Sequence, residues 1–129
     1  MRTSRKRILI VENDPDMLFI LDKALNDAGY DVEPCKAGFE IAKARNMWPH
    51  LFIVDKDFPA VDGMALCQVL RIHEKTKHIP IIMISSYQVK NKAKQIGVDE
   101  FIRKPFELNQ LLQTVDVSIN SLHNEEKSQ

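Results

Sequence analysis

The stretch Leu51-Phe52-Ile53-Val54-Asp55-Lys56-Asp57 sets four consecutive apolar residues directly before two acids and a lysine. A run that is short and apolar at every position suits a strand covered on both faces, as in a parallel sheet, better than a half-solvated strand of alternating polarity. Outward from it, comparable runs lie at Ile8–Val11, Asp31–Cys35, Ile81–Ile84 and Phe101–Ile102, and two of these, ILIV and IIMI, are again apolar throughout. Helical patterns fill the intervals. Leu18, Leu21, Leu25 and Ala28 recur at spacings of three and four, after Asp14 as a cap and Pro15 at the first helical position and before Gly29 as a stop. Further helices are predicted over Phe39–Arg45, Met64–Ile72, Val89–Ile96 and Leu108–Leu122, the last burying Leu108, Leu111, Leu112, Val115, Ile119 and Leu122. Five strands alternating with five helices predict an α/β domain, a parallel sheet with helices on both faces.

The composition is compatible with this and narrows the function classes. A chain of 129 residues can bury one core without disulfides, and 44% hydrophobic against 28% charged residues is ordinary for a globular domain. Eighteen basic residues cancel eighteen acidic ones, so no global field favours nucleic acid or an anionic membrane. The N-terminal basic cluster of Arg2, Arg5, Lys6 and Arg7 lacks interleaved aromatics and reads as a solvated leader over 1–6. The four-residue apolar run behind it is too short for a signal peptide or a membrane span of about 20 residues. Cys35 and Cys67 lack a partner pattern, which suits packing roles in a reducing, cytoplasmic setting. His50, His73, His78 and His123 have no metal-ligand spacing. The main domain is expected over 7–122, with a polar tail over 123–129 and no pattern for an output domain past Leu122.

In open parallel sheets, function collects in the loops beyond the carboxyl ends of the strands. Those loops here open with Glu12-Asn13-Asp14, Asp55-Lys56-Asp57, Ser85-Ser86 and Lys104-Pro105. Each alone reads as a cap or a turn, but together they bring carboxylates, hydroxyls and one ammonium to a single edge.

In these residues the sequence resembles the receiver domains of two-component response regulators. The matching stretches are ILIVENDPDM, LFIVDKDFPAVDGM, IPIIMISS and GVDEFIRKPF, and the likeness runs from Arg7 to about Leu122. The resemblance implies a flavodoxin-like three-layer sandwich with strand order 2-1-3-4-5. It also implies a signalling switch and not a turnover enzyme: Asp55 accepts a phosphoryl group, with Mg2+, from a sensor histidine kinase or histidine phosphotransfer protein, and the change is passed to a downstream protein. Residue by residue, Glu12 and Asn13 stand where an acidic pair helps to hold Mg2+, and Asp57 offers the ion its backbone carbonyl. Ser85 is the hydroxyl that contacts the phosphoryl group, Lys104 the ammonium that pairs with it, and Phe101 the aromatic switch. Tyr87 stands where access of water to the phosphoaspartate is tuned, and Lys104–Pro105 is a candidate cis bond. Pairing of two copies through the fourth helix, fifth strand and fifth helix is a further implication.

Competing readings are weaker. The Asp-x-Asp triplet is similar to the nucleophile motif of haloacid-dehalogenase-like phosphatases, but it follows the third strand and leaves no room for a cap and a later acidic motif. A dinucleotide site needs a glycine-rich turn after the first strand, where Glu-Asn-Asp-Pro stands instead. A degenerate receiver acting as an unphosphorylated protein-binding adaptor draws its support from Asn13, where the family pattern has Asp. An amide oxygen still coordinates Mg2+, but a charge is missing, and two unit charges about 4 Å apart interact by roughly 4 kcal/mol at an effective dielectric of about 20. The Asp57 carboxylate can attract the ion, repel an incoming donor, or remain a solvated loop acid. After desolvation offsets, Asn13→Asp is expected to tighten Mg2+ by about one to two decades; equal affinities for the two proteins in calorimetric titration would contradict this.

Overall fold

A computed structural model describes residues 5–35, 48–57 and 62–128, with side chains through residue 121. The elements are β1 (Arg7–Val11), α1 (Pro15–Asp27), β2 (Asp31–Cys35), β3 (Leu51–Asp55), α2 (Gly63–Ile72), β4 (Ile81–Ser85), α3 (Lys90–Gln95), β5 (Glu100–Arg103) and α4 (Leu108–Ser128). The helix expected over Phe39–Arg45 lies outside the described residues, so four helices are described where five were predicted. The strands form one sheet in the order β2-β1-β3-β4-β5, every neighbouring pair parallel.

The all-apolar strands are buried on both faces. Successive side chains of a strand point to opposite sides, and the core divides accordingly. Leu9, Val11, Phe52, Val54, Ile81 and Met83 face Cys67 and Leu70 of α2 and Ala93 of α3. Ile8, Ile10, Leu51, Ile53, Ile82, Ile84 and Ile102 face Leu21 and Leu25 of α1 and Leu111, Val115 and Ile119 of α4. Edge strand β2 is mostly exposed and carries Pro34, a residue that a central strand would not tolerate. Cys35 and Cys67 are both buried and not disulfide-bonded, and burial pushes the Cys67 thiol up to about 12 against the opposing charge of Arg71. No helix among the described residues is long and apolar enough to cross a membrane.

The helix signals act as expected at α1: the Asp14 side chain accepts from the Asp16 N–H at 3.0 Å, Pro15 opens the helix, and Gly29 ends it at φ 105°. Three readings change. Arg5, expected in a solvated leader, is exposed but anchored: it donates to the carbonyl of Asn26 in the last turn of α1 and to those of Gly29 and Tyr30 just beyond it at 2.7–2.8 Å, and lies 3.3 Å from the Asp31 carboxylate. Leu108 is 40% exposed, not part of the buried stripe: it is the first residue of α4, where the chain has only begun to return to the sheet. The last helix continues past Leu122 to Ser128, since Asn124–Ser128 contains no proline or glycine to stop it. Across the sheet, Arg71 of α2 joins the flank of β4 and β5, donating to Lys77, Ile79 and Gly97 carbonyls and to Asp99 Oδ2 at 2.6 Å.

The Tyr30 hydroxyl donates to Asp116 Oδ1 at 2.8 Å and ties the start of β2 to α4. Burial, and then Asp116, push the phenol from its ordinary 10.0 up to about 12. The folded chain therefore keeps this proton where the unfolded chain loses it, so the associated stability is present below pH 10.0 and is lost as pH rises toward about 12. Tyr30→Phe is expected to cost about 1 kcal/mol near neutral pH and to remove that alkaline loss. Urea melts of both proteins near neutral pH and at about pH 11 measure it.

Candidate functional site

The parallel register decides where the loops meet. Val11 pairs with Val54, Asp55 with Ile84 and Ser85 with Arg103, so the carboxyl ends of β1, β3, β4 and β5 finish side by side. Glu12 directly follows β1, Asp55 and Ser85 are the last residues of β3 and β4, and Lys104 directly follows β5. Glu12, Asn13, Asp14, Pro15, Asp55, Asp57 and Lys104 line one pocket of about 380 Å3 at this edge.

The pocket is built around buried charge. Asp55 is 3% exposed, and its two oxygens accept separately: Oδ1 from the Asp57 N–H at 2.8 Å, and Oδ2 from Lys104 Nζ at 2.8 Å. Burial alone would push the Lys104 ammonium down, but the hydrogen bond and charge of Asp55, followed by Asp57, outweigh it and hold the amine above its ordinary value. The Lys104–Pro105 bond is cis. Ser85 is fully buried, and its Oγ accepts from the Tyr87 N–H at 3.0 Å.

Glu12 is 2% exposed, with Oε2 accepting from the N–H groups of Asn13 and Asp14 at 3.1 and 3.0 Å. Its other oxygen, Oε1, is buried without a hydrogen-bond partner. Burial, then the neighbouring Asp55 carboxylate, push Glu12 up to about 8, and the Asp14 N–H and Lys104 only partly oppose them. A buried orphan oxygen beside a second carboxylate is the environment that a small divalent cation would relieve. Among the described residues no group of three or more His, Cys, Asp or Glu side chains is disposed to hold a metal. The available set is mixed instead, with the Glu12 and Asp55 carboxylates, the Asn13 amide and a backbone carbonyl. These are all hard oxygens, and a set of one or two carboxylates suits Mg2+, which keeps several of its own waters. The residues therefore fit the ion. Asp14 also lines the pocket, and one of its oxygens, Oδ1, is engaged as the cap of α1.

Asp57 departs most from the sequence reading. It is not a solvated loop acid: its Oδ1 accepts from the Ser85 hydroxyl and its Oδ2 from the Ser86 N–H, both at 2.8 Å, and Oδ2 lies 3.3 Å from Lys104 Nζ. Burial pushes its carboxyl up, but the Ser86 and Ser85 donors and the Lys104 charge outweigh that and leave it below the ordinary range. Phe101 is partly buried against the α2–α3 side of the core and pairs with Met83. Tyr87 is 60% exposed, with Lys56 Nζ 5.4 Å from its ring centre, beside the pocket and not in its lining. Two contributors escaped the sequence reading. The Ser86 N–H left no signal, since every residue but proline carries one. Gly63 left a weak one, a glycine at the start of a helix behind a capping Asp62: a Cβ there would lie 3.0 Å from Lys56 Cα, so only glycine lets α2 close against the loop after β3 without displacement.

A family model described as the response regulator receiver domain matches residues 8–116. The chain belongs to the response regulator receiver domains. It is 35% identical over 113 residues to the DNA-binding dual master transcriptional regulator RpaA of Synechocystis, covering 84% of this chain and 47% of that protein. It is 25% identical to the polar-differentiation response regulator DivK of Brucella ovis, covering 85% of this chain and 93% of that one. The chain thus spans about half the length of several curated relatives and nearly all of others. Among solved structures, a putative response regulator from Chloroflexus aurantiacus superposes with a TM-score of 0.84 at 29% identity, covering 91% of this chain and 99% of that one. These likenesses carry the flavodoxin-like fold and the place of the chain in two-component signalling.

Because the receiver's Asp57 is depressed below its ordinary 3.8, its contribution to stability is present above that value and is lost as pH falls through the folded one. Ser85→Ala removes one donor, so the Asp57 carboxyl is expected to titrate at higher pH than in the parent. Carbon-detected NMR titration in Mg2+-free buffer measures the shift, and an unchanged midpoint would contradict the bond.

Proposed function

We propose that this receiver takes a phosphoryl group onto Asp55 from the phosphohistidine of a sensor histidine kinase or histidine phosphotransfer protein. The observation that carries the reading is the contact of Lys104 Nζ with the buried Asp55 carboxylate at 2.8 Å, beside the orphan oxygen of Glu12. An Asp55 carboxylate oxygen forms the new O–P bond while the donor's N–P bond breaks, its electron pair staying on the imidazole, which takes up a proton. Carboxylate and phosphoryl oxygens repel one another, so the transfer needs positive charge already in place. Mg2+, when held by Glu12, Asp55, the Asn13 amide oxygen and the Asp57 carbonyl, supplies part of that charge. Lys104 supplies the rest as a compact ammonium aimed at the same carboxylate.

The consequence is a switch and not turnover. The new group brings about two negative charges and three acceptor oxygens. Ser85, buried at the end of β4, is the hydroxyl donor that turns toward them, and Phe101 on β5 answers the movement of its loop. The surface made by α3, β5 and α4 then presents an altered face to a downstream protein or to a second copy of the chain. Tyr87 beside the pocket governs access of the hydrolytic water, and a cytoplasmic setting suits the two buried thiols.

Incubation with acetyl phosphate or phosphoramidate and Mg2+ is expected to add about 80 Da, the mass of one phosphoryl group, in intact-mass measurement. Asp55→Asn should abolish the gain and Lys104→Ala should slow it. No gain in the parent at saturating Mg2+ would overturn the reading in favour of an unphosphorylated adaptor.

A further inference from the structure

Three donors at the carboxyl edge of the sheet converge on a side chain that the phosphorylation reading leaves without a role. The Asp57 carboxylate holds the Ser85 hydroxyl on one oxygen and the Ser86 N–H on the other, each at 2.8 Å, with the Lys104 ammonium 3.3 Å away. The hydroxyl and the ammonium are the two side-chain groups that a phosphoryl group on Asp55 would call on. The carboxylate is also aimed by its own backbone. The Lys56 N–H donates to the Ile84 carbonyl at 2.9 Å, the Asp57 N–H donates to Asp55 Oδ1 at 2.8 Å, and Gly63 packs directly against Lys56. Nothing in this geometry needs Asp55 to be modified.

We propose that Asp57 is an internal stand-in for the phosphoryl group: in the resting chain its carboxylate occupies Ser85, Ser86 and Lys104, and a phosphoryl group on Asp55 must expel it to reach them. The inference rests on the reading of Asp55 as acceptor and adds that the acceptor's own loop carries a competitor. A carboxylate and a phosphoryl group are alike in offering anionic oxygens to the same donors, but the phosphoryl group offers three oxygens and about twice the charge. It can therefore win the exchange, at an affinity reduced by the fraction of time that the donors are engaged. Release of Asp57, and not the first capture of Ser85, is then the event that distinguishes the two states of this receiver. The expelled carboxylate stays tethered two residues away and competes for the same donors throughout the life of the phosphorylated state.

The test uses trifluoroberyllate, which settles on an aspartate carboxylate in place of a phosphoryl group, with Mg2+ and the full chain. Its affinity is read by fluorine NMR for the parent, Asp57→Ala and the isosteric Asp57→Asn, alongside the amide proton of Ser86. Both variants are expected to bind about tenfold or more tightly than the parent, the scale of one hydrogen bond to a charged group. The Ser86 proton of the ligand-free parent should lie downfield of its position in the variants. The gain should also survive about 1 M salt, where the screening length is about 3 Å, because it arises from vacated donors in direct contact. Equal or weaker binding by both variants, with the parent still binding, would overturn the stand-in and leave the acceptor reading intact. A gain that disappears at high salt would overturn it as well, by assigning the effect to the field of Asp57 alone. Binding by none of the three would overturn the acceptor reading and this proposal together.

Discussion

The site depends on one ammonium. Lys104 Nζ lies 2.8 Å from Asp55 and 3.3 Å from Asp57, in a pocket whose remaining buried side chain, Glu12, is itself acidic. Two carboxylates held this close with little water between them would repel strongly, and removing the cation from a buried pair leaves an uncompensated charge worth on the order of 3 kcal/mol or more. Lys104 alone does not balance the cluster. The burden falls on Glu12, pushed up to about 8 by burial and by Asp55, and on the donors that Asp57 has recruited. The gathering of hard-oxygen donors at this edge therefore leaves the pocket short of positive charge, a deficit that a divalent cation would relieve.

That gathering is a property of the parallel sheet before it is a property of the residues. With every strand running the same way, all carboxyl ends reach one edge, and the order β2-β1-β3-β4-β5 makes β1, β3, β4 and β5 consecutive neighbours there. This much was legible in the sequence. Short all-apolar runs announced strands covered on both faces, the polar groups sat just beyond them, and the resemblance turned a cluster of acids and hydroxyls into assigned positions. The cap Asp14-Pro15 was readable for the same reason, because its partners are its immediate neighbours.

What stayed illegible required contacts between residues far apart in the chain. Asp57 and Ser85 are 28 positions apart, and no local pattern distinguishes an acid that meets a serine across the sheet edge from one that points into water. The anchoring of Arg5 on carbonyls at and just beyond the end of α1, 21 to 25 residues downstream, is hidden in the same way. The role of Gly63 depends on the distance to a backbone atom of Lys56, which hydrophobic periodicity does not encode. The misreadings at the site thus concern which groups meet at the edge, while the described strands that carry them lie where their apolar runs placed them.

The strands that carry this pocket are not equally held. β3 is buried at every position and gives Asp55 a stiff mount, since a shift there would disturb both core layers at once. β5 lies at the edge of the sheet: Glu100 and Arg103 are exposed, Phe101 is only partly buried, and Ile102 alone is deeply packed. The mount of Asp55 is therefore stiffer than that of Lys104, which follows directly from β5. The Arg103 guanidinium donates to the Ser86 carbonyl at 2.9 Å, so the loop that follows Ser85 is joined to the strand that bears Phe101. A fully buried strand under Asp55, a less buried edge strand before Lys104 and a direct bond from that edge strand to the loop after β4 together leave the β5 side of the pocket the less tightly packed one.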